Sequence, residues 1–115
     1  MRALEKADEA VGMLQQTLDE TRLTGSVLII LTADHGGTGL VHPPEDPLSQ
    51  YIPWIAVGPS VRKTFDLGQV PGLAVSTMAT FATAYAVLGI AVAQPVDAQP
   101  VFEMFDGPMA GARRY

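Results

Sequence analysis

Ser26-Val27-Leu28-Ile29-Ile30-Leu31-Thr32-Ala33-Asp34-His35-Gly36-Gly37 is the stretch on which the fold turns. Its first seven residues are continuously apolar and rich in β-branching. That is the mark of a short strand covered on both faces, as in a parallel sheet. Upstream, Leu4, Ala7, Val11, Leu14 and Leu18 recur at spacings of three and four, with Glu5, Asp8, Glu9, Gln15 and Asp19 elsewhere. The spacing predicts an amphipathic packing helix over residues 2–23, stopped at Gly25. A helix running directly into a buried strand is half of a crossover unit, so the fold class is α/β.

Downstream, residues 33–51 hold three Gly and three Pro and make a loop of about twenty residues, a length that is usually functional or disordered in a compact domain. Ile52-Pro53-Trp54-Ile55-Ala56-Val57 predicts a second buried strand, with Pro53 at its start where a missing N–H is tolerated, and Gly58-Pro59 ends it. Lys63 to Val70 is read as a short edge strand or hairpin. Val75 to Leu88 predicts a helix with Ser76 or Thr77 as N-cap and Gly89 as its stop. Met78, Phe81, Ala82, Tyr85 and Leu88 are expected to form its core face. A loop with Pro95 and Pro100 leads to a short segment from Val101 to Phe105, and the tail from Gly107 to Tyr115 is expected to fray.

The chain has 115 residues, 48% apolar and 17% charged, which suits one small ordered domain. Its formal net charge of −5 argues against binding a nucleic-acid backbone. It does not exclude a small anionic substrate, because bound metal ions reverse a local field. The absence of cysteine excludes disulfides and thiolate metal sites and leaves the compartment open. No run of 18 apolar residues exists, so no membrane span is expected. The opening Met1-Arg2-Ala3-Leu4-Glu5-Lys6 lacks the apolar stretch of a secretory signal, which bears on targeting only if Met1 begins the protein.

The chemistry is concentrated where the first strand ends. Ligands of open α/β sheets bind outside the carboxyl ends of the strands, and Asp34 and His35 lie just there. A carboxylate and an imidazole at that point can turn toward one metal ion, and Gly36 and Gly37 let the backbone turn sharply beside it. Oxygen and nitrogen ligands without sulfur suit Zn²⁺ or Mn²⁺. His42, the only other histidine, follows seven residues later in the same Gly-rich loop. An Asp-His-Gly triplet by itself is more often an Asx turn beside a surface histidine. The buried strand before it, the glycine pair, the second histidine and the Pro-containing strand after it favour the site. Glu45 and Asp46 read as solvated loop charges. Thr32 and Thr38 read as strand-end and loop residues, not as nucleophiles.

The run VLIILTADHGGTGLVH followed by IPWIAVGPSVR resembles the alkaline phosphatase superfamily, in its type I phosphodiesterase/nucleotide pyrophosphatase and sulfatase-like branch. VSTMATFATAYAVLGI and DAQPVFEMF resemble that branch's C-terminal elements, so the likeness covers roughly residues 10–105. The resemblance implies that residues 1–115 are the C-terminal portion of a three-layer sandwich with a mainly parallel sheet. It implies two divalent metal ions, zinc or alternatively manganese, with Asp34 and His35 on one and His42 on the other. It implies hydrolysis of a small phosphate or sulfate ester through a Thr or Ser nucleophile near the family's N-terminus. That nucleophile and its neighbouring metal-binding aspartates find no counterpart here, so the chain alone is expected to be inactive and to partner the N-terminal half of the same enzyme. Ala79 and Ala98 stand where relatives often carry Asp and Gly, departures that touch capping and turns. The alternative is a free-standing, non-catalytic metal- or partner-binding domain derived from such an enzyme.

Overall fold

The computed structural model describes residues 2–91 and 96–107. In order it contains α1 (Arg2–Glu20), β1 (Ile29–Thr32), α2 (Pro47–Gln50), β2 (Trp54–Val57) and α3 (Thr77–Val87), with 3₁₀ turns at Leu67–Gln69 and Phe102–Met104. Two compact units divide the chain. One takes α1 and the chain through Ile29, together with Val57–Pro59; the other takes Ile30–Ala56 and the chain from Ser60 on.

In the first unit, α1 follows the apolar spacing of its sequence, yet none of its residues is buried, and Leu4 and Met13 are 76% and 70% exposed. Its stop is not Gly25. Arg22 takes the left-handed conformation at φ 61°, its N–H donates to the Asp19 carbonyl at 3.1 Å, and the Leu23 N–H donates to the Leu18 carbonyl at 2.8 Å. Those two bonds are the Schellman closure, made here by an arginine in a place that glycine fills most easily.

β1 and β2 form a two-stranded sheet, and they run antiparallel. The Thr32 hydroxyl donates to the Pro53 carbonyl at 2.9 Å, while Gly58 lies against the backbone of Val27 and Leu28. The mainly parallel sheet is therefore not what these two strands make. The link, residues 33–53, is long enough for either return, but it holds only the four residues of α2 and so no crossover helix of the kind that covers a parallel sheet. Nor are the strands covered on both faces. Burial alternates along β2, with Trp54 and Ala56 partly covered and Ile55 and Val57 exposed, and Leu31 of β1 is also exposed. That alternation belongs to an antiparallel pair with one open face.

The core of the second unit lies between α3 and the segment Pro100–Phe105. Ala79, Ala82, Thr83 and Ala86 form the buried face of α3, against Val101, Met104 and Phe105 among the buried residues. This differs from the face expected from the large residues, since Met78, Phe81 and Leu88 are exposed. Small side chains at spacings of three and four let another segment approach the helix closely, and threonine supplies the fastening. The buried Val101 N–H donates to Thr83 Oγ1 at 3.0 Å, and the Trp54 indole N–H donates to Thr80 Oγ1 at 2.9 Å. Both are satisfied polar groups that would be costly to leave unpaired.

Ser76 occupies the N-cap position of α3 without a side-chain cap bond, and Gly89 ends the helix as its sequence predicts, at φ 66°. No strand forms over Lys63 to Val70. Asp66 instead accepts from the Gly68 N–H at 2.8 Å and caps the turn Leu67–Gln69. The Asx preference for local backbone donors prevails over a weak strand pattern. Pairing does occur beside it, where the Arg62 N–H donates to the Met104 carbonyl at 2.8 Å and the Asp106 N–H to the Ser60 carbonyl at 2.7 Å. The expected fraying falls on a tail of which residues 108–115 lie outside the described residues.

Arg22→Gly should stabilise the chain. It removes about 1–2 kcal/mol of left-handed strain and adds roughly 0.5–1 kcal/mol of chain entropy cost, leaving a gain of up to about 1 kcal/mol. Gly25→Ala, at a residue with open space around it and no positive φ, should be neutral or slightly favourable. Thermal melts of the two variants check this, and a large loss at Gly25 with no change at Arg22 would return the helix stop to Gly25.

Candidate functional site

The carboxyl end of β1 delivers Ala33 and then Asp34 and His35 into the loop before α2. Asp34 closes an Asx-type contact on its own chain, accepting the His35 backbone N–H on Oδ1 at 2.9 Å. That leaves Oδ2 facing His35 Nε2 at 3.5 Å. The other ring nitrogen, Nδ1, lies 2.8 Å from the Gly36 carbonyl oxygen. A carbonyl only accepts, so Nδ1 carries the proton and Nε2 in the neutral ring presents a lone pair. Lone pair and carboxylate oxygen thus face each other across a gap that a cation would bridge favourably, either a proton on Nε2 or a metal ion. Both side chains are open to solvent, at 46% for His35 and 86% for Asp34.

The spacing fits a metal. Bonds of about 2.0–2.2 Å to nitrogen and oxygen at a tetrahedral ion place the two ligand atoms about 3.3–3.5 Å apart. The fixed Nδ1–H also gives His35 the outer partner that a ligating imidazole needs. That partner is the Gly36 carbonyl, and not Glu45 or Asp46.

His42 comes back to the same place. Its ring stacks on His35 with centroids 4.0 Å apart and planes 14° from parallel. Rings so disposed cannot both aim an in-plane lone pair at one ion about 2 Å from each. They would serve two ions, and paired metals in hydrolases lie about 3.5–4 Å apart. Among the described residues no group of three His, Cys, Asp or Glu is arranged to hold one metal.

The loop reverses in a tight hairpin. The Thr38 N–H donates to the Val41 carbonyl at 2.9 Å and the Val41 N–H to the Thr38 carbonyl at 3.2 Å, with Gly39 at φ 65° between them. α2 packs on its base, where the Gly36 N–H donates to the Ser49 carbonyl at 2.8 Å. A side chain on Gly36 would put its Cβ 2.0 Å from the Leu48 carbonyl oxygen and 2.5 Å from that of Tyr51, so only glycine fits. Asp46 is the residue that charge pattern alone misread. Though still open to solvent, it caps α2 by accepting the Leu48 N–H on Oδ1 at 2.9 Å, and its Oδ2 accepts the Thr38 hydroxyl at 2.6 Å. The Asp-Pro pair before a short helix is the sequence signal that could have found it. Glu45 is exposed, as expected.

Two carboxyls are held below their ordinary range. For Asp34 the main cause is the His35 backbone N–H, followed by the charge of His35, its own backbone N–H and a smaller contribution of His42. For Asp46 the main cause is the Thr38 hydroxyl, then the Leu48 N–H. A carboxylate so lowered is a poor base, so the Thr38–Asp46 pair does not make Thr38 a nucleophile. Thr32 is engaged with Pro53 at the strand end.

Two outcomes follow. Gly36→Ala should force α2 off the loop and destabilise the chain by about 1–3 kcal/mol, as overpacking does, measured by denaturant unfolding. For Asp34 the folded pKa lies below the unfolded one. Its stabilising contribution is therefore complete above the unfolded carboxylate pKa and is lost as pH falls through the lower folded value. Carboxyl ¹³C titration should show Asp34 ionising below the ordinary aspartate range, and His35→Ala should raise its midpoint only part way, because the backbone donor stays. A midpoint at the ordinary value in the native chain would contradict the Asx contact.

No curated protein and no solved structure matches the chain significantly. The family model for type I phosphodiesterase / nucleotide pyrophosphatase matches residues 1–81, which include β1, the Asp34–His42 loop and β2. Because that match spans 81 of the 115 residues, the chain belongs to the type I phosphodiesterase/nucleotide pyrophosphatase family, a family of ester hydrolases within the alkaline phosphatase superfamily.

Proposed function

We propose that this chain contributes one side of a two-metal active site to a larger hydrolase of phosphate or sulfate esters. The single observation behind the reading is the convergence of Asp34 Oδ2 and His35 Nε2, 3.5 Å apart, at the carboxyl end of β1. Asp34 and His35 would hold one divalent ion and His42 a second, zinc or alternatively manganese. Bound there, the ions would supply charge for the ester's non-bridging oxygens and lower the pKa of an attacking hydroxyl. The chain's own part is to orient. The Gly36 carbonyl fixes the tautomer of His35, and the His35 N–H fixes the Asp34 carboxylate.

The nucleophile, a Thr or Ser, and the remaining metal ligands would come from the N-terminal half of the same enzyme. Uncovered apolar surface supports that division: no residue of α1 is buried, and Leu31, Ile55 and Val57 lie open on the strands. In the complete enzyme we place β1 and β2 in the three-layer sandwich, their antiparallel pairing at the margin of a mainly parallel sheet, where such pairs are common. The same exposed faces weigh against a free-standing binding domain, which would leave large apolar residues in water.

The ligand division predicts weak zinc binding by residues 1–115 alone, because no ion receives three protein ligands. Calorimetry should find no tight one-to-one complex; tight binding abolished by His35→Ala would overturn the two-ion assignment. In an enzyme extended upstream, hydrolysis of bis(4-nitrophenyl) phosphate should require metal. His35→Ala there should lower kcat/KM by about 100-fold or more, since even the loss of an outer-shell partner costs 10–100-fold. Full activity in that variant would refute the proposed role.

A further inference from the structure

The two histidines stack across a loop that has little of its own to keep it in shape. Residues 36, 37 and 39 are glycine, which gives up the most conformational freedom on ordering. The hairpin has one bridge, Thr38 with Val41, and a two-stranded ribbon of that size is marginal in water. Both rings lie toward solvent, so packing does not hold them.

Among the bonds that tie it down, two are made by the Asp46 carboxylate. Its Oδ2 takes the Thr38 hydroxyl at 2.6 Å and so draws in the hairpin. Its Oδ1 takes the Leu48 N–H at 2.9 Å and so starts α2, whose Ser49 carbonyl receives the Gly36 N–H at 2.8 Å. One carboxylate therefore fixes the chain after His35, through Gly36, and the chain before His42, through Thr38. The backbone of Gly37 is held close to this second arm, where an added Cβ would lie 2.8 Å from the Val41 carbonyl oxygen and 3.5 Å from His42 Cβ.

We infer that Asp46 and Thr38 are positioning residues, whose side-chain hydrogen bond sets the face-to-face register of His35 and His42. Neither touches the reacting atoms. Their effect is to bring the imidazoles to a 4.0 Å separation before any ion arrives. The metal arm of this inference rests on the two-ion reading above; the ring arm does not.

The test uses the full 115-residue chain, native and as Thr38→Val and Thr38→Ser. Valine removes only the hydroxyl at nearly constant shape on an exposed loop, and serine restores it. Nuclear Overhauser contacts between the two imidazoles should be present in the native chain, lost in Thr38→Val and recovered in Thr38→Ser, with amide signals of α3 unchanged. Asp46→Ala should lose the same contacts and the α2 signals as well. Ring contacts that survive in Thr38→Val, or fail to return in Thr38→Ser, would overturn the inference. Zinc titration of the same variants supplies the second readout. Affinity should fall about 10–100-fold in Thr38→Val and recover in Thr38→Ser. Unchanged affinity with a lost stack would show that the register does not serve the ion. Tight one-to-one zinc binding by the native chain, with ring contacts still following Thr38, would remove the two-ion reading and leave the positioning role standing.

Discussion

The backbone N–H of His35 donates to Asp34 Oδ1, and most of the site depends on that bond. It turns the carboxylate back along its own chain at the point where β1 stops being extended. Oδ2 is thereby brought opposite the neighbouring imidazole, and the carboxyl is kept ionised. The imidazole is fixed in turn by the Gly36 carbonyl, one residue on. Two adjacent residues and one peptide group thus define a donor pair, with no contribution from distant parts of the chain. A site built so locally keeps its geometry even where little of the surrounding surface is buried.

The second histidine obeys a different constraint. His42 reaches the first only because the chain reverses between them. That reversal is made from glycines whose disorder must be offset by hydrogen bonds. Asp46 concentrates those bonds on one carboxylate, which also caps the helix that seals Gly36. The absence of space at Gly36 and the left-handed turn at Gly39 are two sides of the same requirement, a loop pressed flat against its own base.

Stability is distributed unevenly around this loop. The buried residues belong mostly to α3 and the segment from Pro100 to Phe105, where alanines and a threonine allow close approach. Strand faces and α1 carry apolar residues that stay open. Such surface has a favourable free energy of burial still to be gained, roughly 25 cal/mol per Å² covered.

The amino-acid order by itself settled what depends on neighbours along the chain. The apolar periodicity of α1, the two short strands, the Gly89 stop of α3 and the Asp34–His35 pair at a strand end were all legible, as was the family to which the chain belongs. Tertiary structure decided the rest. An unbroken apolar run cannot say whether its strand will be parallel or covered, because that is set by the partner strand and by what packs on each face; here the pair is antiparallel and Leu31, Ile55 and Val57 lie open. Residue size pointed to Met78 and Phe81 as well as Ala82 for the core face of α3; Ala82 is buried as expected, but close approach put Ala79 and Ala86 beside it in place of the large residues. Asp46 looked like one more loop charge until the hairpin brought Thr38 to it, since a hydrogen bond between residues eight apart exists only once the chain between them has turned.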